Sequence, residues 1–135
     1  MQDSPRYVKL TDSLAASPQI QAADMAAIAE AGYQVVINNR PDGEAMGQPG
    51  SDELKVAAEA AGLEYHYYPL NAFNYPGDDL ARMAALFDDS RAVFAFCRSG
   101  TRSSNLWISS RTGDEQEQAR QHAQQLGFDV SMSMR

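Results

Sequence analysis

The sequence predicts an α/β fold, a single domain over residues 1–135 in which a mostly parallel central sheet is flanked by helices. Three observations lead there. Short apolar runs alternate with stretches whose apolar residues recur at helical spacing, the pattern of strand–helix–strand units with parallel strands. Gly32 and Gly62 follow two of the helical stretches, where a helix ends most easily. The chain has 135 residues, 44% hydrophobic and 21% charged, enough for one core and no more. No repeat, linker or low-complexity tract divides it.

Tyr7-Val8-Lys9-Leu10 reads as a short strand. Ser17-Pro18 reads as an N-cap with proline in the first helical position, opening a helix that runs to about Ala31. Tyr33 to Ile37 is a compact apolar run of the kind found in buried parallel strands. The turn-rich stretch from Asn38 through Pro49-Gly50 is a loop, and Ser51 or Asp52 can cap the next helix, whose Leu54, Ala57, Ala58 and Ala61 share a face. Leu63 to Tyr68 is a third strand, stopped by Pro69, and Asn71 to Gly77 is a loop long enough to carry function. Asp78 or Asp79 starts a helix with Leu80, Met83, Ala84 and Phe87 on one side. Ala92 to Phe96 is the last strand. It leads directly into Cys97-Arg98-Ser99-Gly100-Thr101-Arg102-Ser103 and a helix to about Arg111. After Thr112-Gly113 a final helix spans about Glu115 to Gln125.

A net charge of −7 argues against nucleic acid or an anionic membrane surface as partner. No apolar run approaches the ~18 residues of a membrane span, and Met1 to Leu10 contains no apolar signal region. The expected location is therefore cytoplasmic, although a chain relieved of an export leader has the same appearance. The single cysteine, Cys97, excludes an internal disulfide and a cysteine-based zinc cluster. Neither a metal nor another cofactor is expected.

Cys97 falls at the carboxyl end of a predicted central strand, where parallel sheets bind ligands. Gly100 permits a positive φ, so the loop can turn several N–H groups inward above the positive end of the following helix. Between Arg91 and Gly113 the chain has four arginines and no acid. Such surroundings favour the thiolate, the nucleophilic form. A buried, inert cysteine is the plain alternative, but two arginines, a glycine and three hydroxyls within six residues outweigh it.

A strand ending in Cys, a glycine-containing loop and an Arg before a helix resembles both rhodanese sulfurtransferases and cysteine phosphatases. The phosphatase pattern is His-Cys, five residues, then Arg; this chain has Phe96 in place of the His and four residues between Cys97 and Arg102. That spacing resembles the shorter rhodanese loop, which cradles a persulfide sulfur. Ser17-Pro18-Gln19-Ile20, Val36-Ile37-Asn38-Asn39-Arg40-Pro41-Asp42-Gly43-Glu44, and Gly62-Leu63 through Tyr68-Pro69 are similar to the bacterial beta-lactamase hydrolase-like family. The similarity spans roughly residues 7 to 128 and implies a cysteine-phosphatase-like fold with sulfur-transferase or phosphatase activity. Some relatives are fused to a persulfide dioxygenase domain absent from this sequence, so a separate dioxygenase is an implied partner.

Phosphatases of this fold protonate the leaving group with an acid, usually Asp, on a loop facing the cysteine. Asn71 to Tyr75 contains no carboxylate. Asp78 and Asp79 are the nearest general-acid candidates and read more naturally as helix caps. Thiosulfate needs no such acid, because sulfite departs as an anion. The expected chemistry is therefore sulfur transfer: Cys97 attacks a sulfane sulfur, the N–H groups from Arg98 to Arg102 cradle it, and a thiol or cyanide removes it. Arg102, with Arg98 as second partner, binds the small anionic donor, while Ser103, Ser99 or Thr101 donates to the thiolate. The alternative is a phosphatase acting on a phosphoester through a Cys97 phosphocysteine. A third reading is a noncatalytic anion- or persulfide-binding module.

Arg40, Asp42 and Glu44 either line the cleft or brace their own loop. Phe73 and Tyr75 either wall the pocket or pack. His66, His122 and Trp107 read as packing residues.

Overall fold

Val93-Phe94-Ala95-Phe96 is buried on both faces, and the rest of the molecule is arranged around it. In the computed structural model, which describes residues 6–134, this strand is β5 (Val93–Phe96). It lies third in a five-stranded sheet of order β1-β2-β5-β3-β4, with β1 (Val8–Thr11), β2 (Leu14–Ser17), β3 (Val35–Asn38) and β4 (Glu64–Tyr67). Only β1 and β2 pair antiparallel; β2, β5, β3 and β4 are parallel to one another. The helices are α1 (Met25–Glu30), α2 (Ser51–Ala60), α3 (Leu80–Asp88), α4 (Thr101–Ser110) and α5 (Gly113–Gln125).

Because strand side chains alternate between faces, each central strand feeds two cores. Leu14, Val35, Ile37, Val93 and Ala95 join Met83, Phe87, Leu106, Ile108 and Ala123 from α3, α4 and α5. Ala15, Val36, Phe94 and Phe96 join Met25, Ile28, Leu54 and Ala58 from α1 and α2. The α/β expectation holds.

The first helix does not. Ser17-Pro18 is no helix start: Leu14–Ser17 is the fully buried strand β2, and α1 begins at Met25 after a short 3-10 turn at Ala22–Asp24. Ser17 does not cap because it is the last sheet residue of β2, paired beside Phe96, and its hydroxyl donates to Pro18 O at 2.8 Å. Neither Ser51 nor Asp52 caps α2 from the preceding position. Gly50 stands there, and the Asp42 carboxylate reaches across the loop to accept the Ser51 N–H at 2.8 Å. Asp79 does cap α3, accepting the Arg82 N–H at 3.2 Å.

Candidate active site

The backbone of Cys97 extends the sheet. Its N–H donates to Ser17 O at 3.2 Å, Gln19 N–H donates to Arg98 O at 3.3 Å, and Asn39 N–H donates to Phe96 O at 2.8 Å. The end of β5 is thus held from both sides. Gly100 then takes φ +91 as the N-cap of α4. This left-handed turn aims its N–H back at the cysteine, 3.0 Å from Sγ. Glycine suits this position because other residues disfavour the left-handed conformation, and a Cβ there would also approach the Phe128 ring to 3.2 Å. Cys97 itself is only 1% exposed.

The loop's hydroxyls serve one another and the neighbouring loop. Ser99 Oγ donates to Thr101 Oγ1 at 2.9 Å, and Ser103 Oγ donates to Asn39 Oδ1 at 2.8 Å. Each hydroxyl has a single hydrogen, so Ser103 locks α4 onto the loop after β3 rather than donating to the sulfur. Asn39 continues the chain of contacts, its amide donating to Tyr68 O at 2.9 Å.

Arg102 lies in the first turn of α4, and its guanidinium gathers three segments. Nη1 and Nη2 hold the Glu44 carboxylate at 2.9 and 2.8 Å, and Nη1 also donates to Leu70 O at 2.9 Å. Glu44 is shared: Arg40 Nε donates to its Oε1 at 3.0 Å, while Arg40 Nη1 donates to Gln19 Oε1 at 3.1 Å. The hydrogen bonds from Arg102 and then Arg40 hold the Glu44 carboxyl below its ordinary value. Glu44 in turn raises the pKa of Arg102, and the neighbouring Cys97 acts in the same direction.

The run of arginines around Cys97 is not a patch in space. Arg91, before β5, pairs with Glu64 and Asp89, and Arg111, beyond α4, pairs with Asp88. Asp89 stands only two residues before Arg91, but Glu64 of β4 and Asp88 of α3 reach in from other elements, which sequence adjacency cannot reveal. Arg98 alone of the four carries no ion pair among the described residues, and it is exposed.

The remaining candidates separate. Asp42 is tied to Ser51 and Tyr67 by the loop's own hydrogen bonds. Phe73 is fully exposed, and the Tyr75 hydroxyl donates to Asn105 O at 2.8 Å and lies 2.6 Å from Ser109 Oγ, bracing its loop against α4. Asp78 lines a cavity of about 410 Å³ with Tyr67, Tyr68 and Arg82; Cys97 is not part of its wall. Asn71 turns its Oδ1 to the N–H groups of Phe73 and Asn74, shaping the facing loop without a carboxylate. Among the described residues no cluster of His, Cys, Asp and Glu could hold a metal, and no helix is long and apolar enough to cross a membrane.

Residues 6–114 match the family described as beta-lactamase hydrolase-like protein, phosphatase-like domain. The chain belongs to this family. A beta-lactamase hydrolase-like protein of Agrobacterium fabrum is 34% identical over 104 residues, covering 76% of this chain and 24% of that protein. One from Xylella fastidiosa is 33% identical and covers 96% and 31%. The chain thus spans 24% to 31% of the length of these curated relatives. A crystal structure of a candidate phosphatase from Neisseria meningitidis is 32% identical with a TM-score of 0.72, covering 90% of this chain and 89% of that one. The fold is that of cysteine phosphatases.

Proposed function

We propose that the chain is a cysteine-dependent phosphatase domain in which Cys97 is the nucleophile and Arg102 binds the phosphoryl oxygens. The observation that carries this reading is the Cys97 sulfur itself. It is buried at the carboxyl end of β5, accepts the Gly100 N–H at 3.0 Å, and interacts electrostatically with Arg102 in the first turn of α4. The family and fold favour phosphate over sulfur, against the sulfur-transfer expectation.

In the first step the Cys97 thiolate forms an S–P bond as the ester P–O bond breaks, and the leaving oxygen carries off the electron pair. Arg102 and the loop N–H groups neutralise charge on the phosphoryl oxygens. Water then attacks phosphorus, releases inorganic phosphate and restores the thiolate. Asn71 to Tyr75 supplies no acid for the leaving oxygen, so a proton from water must serve. Esters with acidic alcohols, aryl phosphates first, therefore suit the site best.

One observation favours a second reading. Four residues, not five, separate Cys97 from Arg102, and a smaller cradle with no facing acid suits persulfide chemistry with a donor such as thiosulfate. Intact mass and turnover decide between them. The phosphatase reading expects release of phosphate from an aryl phosphate by wild type, none by Cys97→Ser, and a trapped phosphate adduct on Cys97. A gain of one reducible sulfur from thiosulfate, with no Cys97-dependent phosphate release, would overturn it in favour of sulfur transfer.

A further inference from the structure

The two arginines of the site meet on a single atom. Glu44 Oε1 accepts from Arg102 Nη2 at 2.8 Å and from Arg40 Nε at 3.0 Å, while Oε2 completes a bidentate pair with Arg102 Nη1. Arg40 is otherwise a costly residue to place: its side chain is only 7% exposed. A buried guanidinium must be matched by fixed partners. It is matched by Gln19 on one side and by a carboxylate on the other that arrives from outside, because the segment from Asp42 to Gly47 is exposed throughout. Two cations held from within thus converge on an anion delivered by a surface loop. A phosphoryl group presents to a guanidinium the same pair of acceptor oxygens as a carboxylate.

We infer that Glu44 is an internal stand-in for the substrate's oxyanion, and that Arg40 is a second anion-binding residue beside Arg102. The inference rests on the reading that the Cys97 loop takes a tetrahedral oxyanion. Binding is then an exchange: a phosphoryl oxygen replaces Oε1 where Arg40 Nε and Arg102 Nη2 converge, and the Glu44 side chain swings out with its exposed loop. The site selects anions able to displace a bidentate carboxylate, which favours dianionic phosphate monoesters over singly charged carboxylic acids.

The test is calorimetric titration of the full chain with inorganic phosphate, which does not depend on turnover. Glu44→Gln removes the competing charge and is expected to tighten phosphate binding by about tenfold, the scale of losing one partly screened contact charge. Arg40→Gln in the Glu44→Gln background is expected to reverse that gain, and Arg40→Lys to reverse part of it. If Glu44 only braces the arginines, Glu44→Gln weakens or leaves unchanged the binding of phosphate, and the inference is overturned. Thermal melting of each variant identifies any that fail to fold. In that event Glu44→Asp, which keeps the charge but shortens its reach, is expected to tighten binding by a smaller factor, and unchanged or weaker binding overturns the inference. Loss of Cys97-dependent turnover in wild type would instead strike the phosphatase reading, so the two failures are distinguishable.

Discussion

Gly100→Ala perturbs the cysteine loop at the point where backbone conformation and sulfur contact coincide. A residue with a Cβ at φ +91 costs about 1–2 kcal/mol relative to glycine. The new Cβ would also meet Phe128 Cε1 at 3.2 Å, closer than carbon atoms comfortably pack, and Ser17 C at an ordinary 3.6 Å. The Phe128 ring is only partly buried and can yield a few tenths of an ångström, so the contact adds little. A total of about 1–3 kcal/mol lowers the melting temperature by about 4 °C for each kcal/mol in a domain of this size. If the loop relaxes toward negative φ, the Gly100 N–H turns away from Sγ and one hydrogen bond to sulfur is lost. That loss, about 1 kcal/mol, slows alkylation of Cys97 at neutral pH about fivefold. The assay is a melt paired with iodoacetamide labelling followed by mass. A variant that melts within about a degree of wild type and labels at the same rate would refute the reasoning.

The remaining predictions concern the scaffold around the site. Tyr75→Phe removes the hydroxyl between Asn105 O and Ser109 Oγ and is expected to cost about 1 kcal/mol in urea unfolding while leaving Cys97 labelling unchanged; slowed labelling would make Tyr75 a wall of the pocket after all. Glu64 is held down to about 2 from 4.5 by hydrogen bonds from Arg91 and then His66. Its folded-state pKa lies below the unfolded one, so its contribution is present above about pH 4.5 and fades as pH falls toward about 2. The pair is largely exposed, which limits the effect to under about 1 kcal/mol. Glu64→Gln should therefore narrow the gap between urea midpoints at pH 5.5 and pH 2.5, about the ends of that window, and an unchanged gap would remove Glu64 from the account.

The sheet's centre was legible because its signals are local. Val93 to Phe96 is apolar on every position, Cys97 follows without a break, and Gly100 marks the turn; the structure places each where the pattern predicts. The amino-terminal hairpin was hidden by composition. Leu14-Ala15-Ala16-Ser17 carries helix-favouring alanines, and only tertiary placement between β1 and β5 makes it a strand. At the site, the Arg40–Glu44 contact has a sequence signal, since the two lie four apart in one loop. The Glu44–Arg102 pair crosses 58 positions and has none. With β3 and β5 parallel neighbours, however, the loops that follow them must lie at the same end of the sheet. A glutamate after β3 then becomes a candidate partner for an arginine after β5.

The same topology explains why the site needs so few side chains. Three consecutive sheet positions, β5, β3 and β4, end side by side, and the segments leaving them are hydrogen-bonded into one collar around the first turn of α4. Ser103 to Asn39 and Asn39 to Tyr68 O form its inner ring. Arg102 to Glu44 and to Leu70 O forms its outer one. Every member is a donor–acceptor pair, so the polar groups of the collar satisfy one another. Its one costly element is the pair of cations brought close together, and Glu44 offsets that cost from a solvent-exposed loop. On the proposed reading, a site built in this way keeps its charge available for a stronger anion. On that reading the buried sulfur of Cys97, held by the Gly100 N–H at 3.0 Å, is the atom that a phosphoryl group drawn in by the exchange would meet.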